Sequence, residues 1–279
     1  MKKMLLASLA LGATLCTFAQ TDSTNTTPTA SKPDTIRVGG MVIVRDGKGD
    51  HRKTRSFSIG GRRRDRNSNF STSGPILDLG FSNFNDNTNY ASAEAQDFTQ
   101  HTGKDDLLRL RTGKSVNVNI WFFMHRVNLI KHSVNLKYGL GLELNNYRFD
   151  DQRVHLSKNP TFVFIDSAYT EVNKNKLAAD YLTVPVMLNF NFTPGRQHPY
   201  GFSVGVSAGY LYSSRQKTRI GGKKTKVRDD FELEPWKISW IGELQLGRLH
   251  FYGSYATKSM WRKGLDATPY TVGIRLSRW

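Results

Sequence analysis

His132–Phe149 reads HSVNLKYGLGLELNNYRF. Taken with a period of two, Val134, Leu136, Tyr138, Leu140, Leu142 and Leu144 fall on one side. Asn135, Lys137, Gly139, Gly141, Glu143 and Asn145 fall on the other. A β-strand sends successive side chains to opposite faces, so the stretch has one apolar face and one polar, glycine-rich face. A helix at ~3.6 residues per turn would scatter the same residues around its circumference. The apolar face outruns a soluble strand of ~5–6 residues. It suits a strand that crosses a bilayer, which needs about 9–11 residues at a tilt. Lys137 and Glu143 require that the other face meet water or partner charges.

The pattern recurs on both sides of this stretch. Pro75–Phe84 alternates Leu77, Leu79 and Phe81 with Asp78, Gly80 and Ser82. Ser115–Asn128 sets Val116, Val118, Ile120, Phe122 and Met124 against Asn117 and Asn119. Lys176–Thr193 sets Leu182, Val184, Val186 and Leu188 against Tyr181, Thr183, Pro185 and Asn189. Pro185 cannot donate to a ladder, which predicts a bulge or a locally unpaired position there. Pro199–Tyr212, Trp236–Gly247, Leu249–Thr257 and Thr268–Trp279 complete the series.

Long polar segments follow the first, third, fifth and seventh strands, and short turns follow the second, fourth and sixth. The expected fold is all-β: an up-and-down antiparallel transmembrane barrel of about eight strands over residues 75–279. In such barrels the long loops face outside the cell and the short turns face the periplasm. With about eight strands, side chains fill the interior, so an open pore is not the default. Asp78, Lys137, Glu143, Glu243 and Arg275 all fall on the inner face and are expected to form a charge network. Asp78 should lie near Arg275, because the first and last strands meet at closure. Trp236, Trp240, Tyr200, Tyr210, Tyr212 and Tyr270 face outward, as aromatic girdles require.

Residues 1–19 read as a secretory signal: Lys2 and Lys3, an apolar run from Met4 to Leu15, and small residues up to Ala19. The run is short of the ~20 residues of a spanning helix. Cys16 raises the alternative of a lipoprotein, against which stands the bulky Leu15 before it. Cleavage after Ala19 removes the only cysteine, leaving no disulfide or thiolate site. Residues 20–74 read as a periplasmic linker. Thr21–Asp34 has no apolar period and is expected to be disordered. Thr35–Arg45 is apolar enough for a short strand or hairpin. A basic run follows, with Arg62, Arg63, Arg64 and Arg66 at its end. It reads either as a solvated spacer or as a contact for anionic lipid or an acidic envelope partner.

The formal net charge is +17 and the mean hydropathy is −0.49. Such a charge ordinarily suggests nucleic-acid binding. The signal sequence and the period of two argue against it, because a membrane barrel hides its hydrophobicity at every second residue.

Tyr181-Leu182-Thr183-Val184-Pro185-Val186 resembles a strand motif of the PorT-like outer-membrane β-barrel family. Gly205–Leu211 resembles the glycine-rich strand that follows it there, and Tyr270–Leu276 the last strand. The resemblance covers roughly residues 75–279. It implies an outer-membrane barrel inserted by the barrel-assembly machinery, and no common activity: some relatives assist protein secretion. Trp279 departs from the pattern, being one residue out of phase with Tyr270, Val272, Ile274 and Leu276.

Catalytic candidates are His101 near Asp105 and Asp106, and His155 near Asp151 and Ser157. Neither belongs to a recognisable motif, so no catalytic residue is assigned. No spacing resembles a metal site, and no cofactor is expected. The leading expectation is a non-enzymatic structural, adhesion or secretion-accessory barrel. A small channel and a soluble exported ligand-binding barrel are the alternatives. The soluble barrel would turn its apolar residues inward.

Overall fold

The computed structural model describes residues 34–38, 41–45, 68–166, 172–196 and 198–276. Two units separate along the chain, Met1–Arg63 and Arg64–Trp279. In the first, β1 (Asp34–Val38) pairs antiparallel with β2 (Met41–Arg45) as a hairpin. The signal region, the Arg62–Arg66 run and Trp279 lie outside the described residues.

In the second unit eight strands close into an antiparallel barrel. They run β4 (Ile76–Asp86), β5 (Val116–Ile130), β6 (Val134–Arg148), β9 (Val172–Asn191), β10 (Tyr200–Ile220), β12 (Trp236–Leu246), β13 (Leu249–Ala256) and β14 (Ala267–Arg275). β14 returns to β4, with Arg275 opposite Asp78, and this pairing shuts the sheet. Closure leaves no edge within the apolar band, as hydrocarbon demands.

The outside of the wall is apolar. Leu77, Leu79, Phe81, Leu182, Val184, Val186, Leu188, Val204, Val206, Val272 and Ile274 are all exposed. A soluble ligand-binding barrel would bury these residues, so its facing is the reverse of the one observed. The inside is polar, and Asn135, Lys137, Glu143 and Asn145 are buried. Glycines make room for the large side chains that remain. A Cβ on Gly141 would lie 2.6 Å from the Trp121 ring, and one on Gly273 would lie 2.6 Å from the Tyr252 ring.

Four details depart from the sequence pattern. The sheet begins at β3 (Phe70–Ser73), inside the segment read as linker, and β3 pairs with β5. A register shift between Trp121 and Phe123 flips the phase of β5. Met124 is therefore fully buried inside the barrel instead of facing lipid with Phe122. Ser213–Pro235 is not a loop throughout. β10 continues to Ile220 and turns at Gly221-Gly222, both at positive φ, into β11 (Lys223–Arg228). Its phase also flips, at a register shift between Leu211 and Ser213. Finally, the polar segment after the third strand holds a hairpin of its own: β7 (Val154–Leu156) and β8 (Val163–Ile165) pair only with each other.

Pro185 sits in register opposite Ser207 of β10, while the pairing of β9 with β6 skips from Val186 to Thr183. The missing donor is thus met by a local gap on the β6 side, without a bulge.

Candidate functional site

The barrel interior holds two charge groups. Near the short-turn end, Lys137 Nζ donates to Glu243 Oε2 at 2.7 Å and to Ser203 Oγ at 3.0 Å. Arg275 Nη1 reaches Glu243 Oε1 at 2.8 Å. Its Nε and Nη2 donate to the two Asp78 oxygens at 2.7 and 3.0 Å. Trp121 Nε1 also donates to Asp78, at 2.7 Å. Towards the long-loop end, Lys237 donates to Glu143, and Asn145, Asn117, Asn119 and Ser82 extend the hydrogen bonds from there.

Each expected interior charge is therefore inside, and Asp78 does meet Arg275. Glu143 stands apart from the other four and takes Lys237 as its partner. Lys237 is in phase with Ser239 and Glu243, so its inward position was readable, but its partner was not. The three cations of these pairs match three anions, and Arg126, in register opposite Lys137, adds a further cation at the short-turn end. Burial of charge in hydrocarbon surroundings is tolerated only with such pairing and full hydrogen bonding.

A space of about 10 Å³ adjoins Lys137, Glu243 and Arg275, which is about one water at most. Below the long-loop end, a crevice of about 100 Å³ is lined by Tyr181, Trp236, Lys237, Lys258 and Met260. Ile76, Trp121, Met124 and Met187 pack together as an apolar plug.

The long loops hold a second core. Phe98 and Leu107 from the first loop pack with Val154 and Val163 from the second, Phe231 and Leu233 from the third, and Met260, Trp261 and Leu265 from the fourth. Phe84, Tyr147, Phe149, Leu177 and Tyr181 form its floor from the strands. Trp261 meets Phe84 edge to face, with centroids 6.0 Å apart. The first loop, read as polar, contains a short helix, Ala93–Phe98, capped by the Ser92 side chain on the Ala95 amide. Tyr90 is held by Asp86 at 2.7 Å, and burial followed by that hydrogen bond raises its phenol well above the ordinary range. The apolar residues of these loops carry no strand or helix period, which is why sequence alone did not gather them.

The histidine candidates do not assemble a nucleophile. His101 is exposed at positive φ. Around His155, Asp151 is taken by Arg153 at 2.8 Å, and this hydrogen bond holds its carboxyl below the usual range. Ser157 Oγ donates to the Pro160 carbonyl and accepts from the Phe162 amide. His155 itself packs on Phe164, and burial lowers its imidazole. Among the described residues no cluster of three or more His, Cys, Asp or Glu could hold a metal.

The expected girdle residues face outward: Tyr200, Tyr210, Tyr212, Trp236 and Trp240 are all exposed, and Tyr270 is partly so. Tyr210 stacks edge-on against Trp236 at 5.1 Å near the long-loop end.

The family to which the chain matches agrees with this geometry. The family model described as outer membrane protein beta-barrel domain matches residues 73–257. The chain belongs to that family, whose place is the outer membrane. Among solved structures a match is found to Ail, the attachment invasion locus protein of Yersinia pestis, at 9% identity and a TM-score of 0.29. That match covers 74% of this chain and 97% of the other. No curated protein matches the chain.

Proposed function

From its place in the outer-membrane barrel family, we propose that this protein is a non-enzymatic and non-conducting barrel. It serves as a structural, adhesion or secretion-accessory component, the last in keeping with the PorT-like motif at Tyr181–Val186. The observation that supports this reading is the filled interior: paired charges near the short-turn end, an apolar plug, and a loop core over the outer mouth. A filled barrel leaves its surfaces as the working parts. These are the packed long loops and the basic segment containing Arg62, Arg63, Arg64 and Arg66. In this reading residues 1–19 are a cleaved signal, and the segment from residue 20 up to β3 is a periplasmic linker. The barrel-assembly machinery inserts the barrel among outer-membrane lipids, and the basic segment offers itself to an acidic envelope or secretion partner.

The test is fractionation of cells with boiled and unboiled samples, followed by planar-bilayer recording of the purified full chain. A heat-modifiable band in the outer membrane and a flat current trace are expected. Stable unitary steps would instead assign a small channel, and hydrolysis of lipid or peptide lost on replacing His101 or His155 would assign an enzyme.

A further inference from the structure

The strands β9 and β10 run for 20 and 21 residues, about twice what a bilayer requires. Their upper halves, with the top of β6 and the hairpin strand β11, form a four-stranded blade beyond the aromatic belt. Its inner face is covered. Gln216 accepts from the Leu156 amide at 3.0 Å and donates to Val154 O at 2.9 Å, so the β7–β8 hairpin packs there.

The outer face is cationic in register. Arg148 opposes Lys176, Lys176 opposes Lys217, and Lys217 opposes Lys226. One row therefore carries four positive residues on four adjacent strands, with strands ~4.8 Å apart. The next row holds Lys174, Arg219 and Lys224. Arg215 opposes Arg228 in the row below. Like charges directly opposite on a sheet are destabilising. Acid is scarce here: Asp180, the acidic residue on this face of the four strands, is already paired with Arg215. Lys174, Lys217, Arg219, Lys224, Lys226 and Arg228 form no ion pair with a described residue. Nothing in the fold requires this arrangement, since polar neutral residues would serve a solvated strand better.

The position of the face selects its ligand. Along β10 the outward residues run Val204, Val206, Ala208, then Tyr210 and Tyr212, then Arg215, Lys217 and Arg219. This is one continuous surface passing from hydrocarbon through the aromatic belt to the level of the lipid head groups. Rows of cations at strand spacing there match closely spaced phosphates held in the same leaflet. We propose that the outer face of the β6–β9–β10–β11 blade binds the phosphorylated head groups of outer-leaflet glycolipid. The inference rests on the barrel standing in a bilayer, and heat-modifiability reports that separately.

The test uses the full chain in phosphatidylcholine nanodiscs that contain a trace of fluorescent bisphosphorylated glycolipid, with its dephosphorylated form as control. Energy transfer from the barrel tryptophans reads enrichment at the protein. The phosphorylated probe should be enriched and the dephosphorylated one not. Lys217→Gln and Lys226→Gln should each lower the enrichment about fivefold, and high salt should abolish it. Both variants remove like-charge repulsion, and an unchanged heat-modifiable band shows that they fold. Equal enrichment of the two probes, or full enrichment in the double variant, overturns the proposal. So does tight binding of a soluble sulfated oligosaccharide without any preference for the phosphorylated lipid, which would assign the face to a free polyanion.

Discussion

Arg275 on the last barrel strand grips Asp78 on the first through two parallel hydrogen bonds, at 2.7 and 3.0 Å, across the seam where the sheet closes. A fork of this kind is both strong and directional. Arg275 also holds Glu243, so one guanidinium serves two interior carboxylates.

Replacing Arg275 with leucine leaves Asp78 without a counter-ion, held by Trp121 alone, and leaves Glu243 with Lys137 as its one cation. The expected loss is about 3–5 kcal/mol, the usual result of breaking a buried pair from one side. It is read as a lower temperature for conversion of the unboiled gel band. Arg275→Lys should recover only part, because an ammonium cannot fork. If the leucine variant melts with the parent, the seam pair contributes nothing to stability.

Gly141 leaves the space that Trp121 fills. Gly141→Val places a side chain where the Trp121 ring lies 2.6 Å from an added Cβ. Overpacking costs about 1–3 kcal/mol, and it should also pull Trp121 from its bond to Asp78. The check is urea unfolding in lipid, with Trp121→Ala added to the same chain. Partial relief of the glycine defect by the second change is expected, because the Ile120 carbonyl oxygen, also 2.6 Å from the added Cβ, stays in place; no relief at all would mean the two side chains do not compete for one space.

Trp261 joins the fourth loop to the strand floor at Phe84. Truncation to alanine should cost the loop core about 3–5 kcal/mol, as for a buried aromatic. The barrel itself should persist. Limited proteolysis on intact cells should then cut the loops while the membrane-embedded fragment keeps its heat-modifiable shift. Protease resistance equal to the parent's would show that the loops hold without this side chain.

Lys176 reports on the basic blade. Burial, then Lys174, Lys217 and Arg215, lower its ammonium from 10.5 to about 8, partly opposed by Asp180. Lys217 and Lys226 shift the same way. An unfolded lysine stays protonated to about 10.4. Between about pH 8 and 10 the unfolded chain therefore binds more protons, so stability should rise with pH across that window. Below about pH 8 the penalty on the charged form is fully present. Unfolding midpoints at pH 7, 8, 9 and 10 measure the slope, and Lys176→Gln should flatten it. A midpoint that falls from pH 8 to 9 in the parent runs against this sign.

The wall of the barrel was legible because lipid and interior impose opposite demands on alternate residues. Val134 to Asn145 keep that alternation without interruption, and so do Leu182 to Asn189. The reading broke at bulges, where one extra residue inverts the phase with no local signature. Met124, in phase with the outward residues by period alone, points inward for that reason. It also broke where strands leave the bilayer. Ser213–Ile220 carries no apolar face, so a strand that continues there looks like a loop. The interior carboxylates and Lys137 and Arg275 were readable as inward, because a charge in phase with Asn117 or Ser207 has nowhere else to go. Closure alone paired Asp78 with Arg275, whereas the pairings of Lys137 with Glu243 and of Lys237 with Glu143 depended on shear, which period alone does not encode. The loop core was least legible: Phe98, Leu107, Phe231 and Trp261 come from four separate segments and meet only in three dimensions.

That shared core makes the outer end of the molecule a single conformational surface. Its exposed residues hold their places because buried ones from other loops lie beneath them. A synthetic peptide copied from any one loop would lack this support and would present a different shape. Antibodies raised against such a peptide should bind the denatured chain and miss the cell, whereas those raised against the folded barrel should lose their target on boiling.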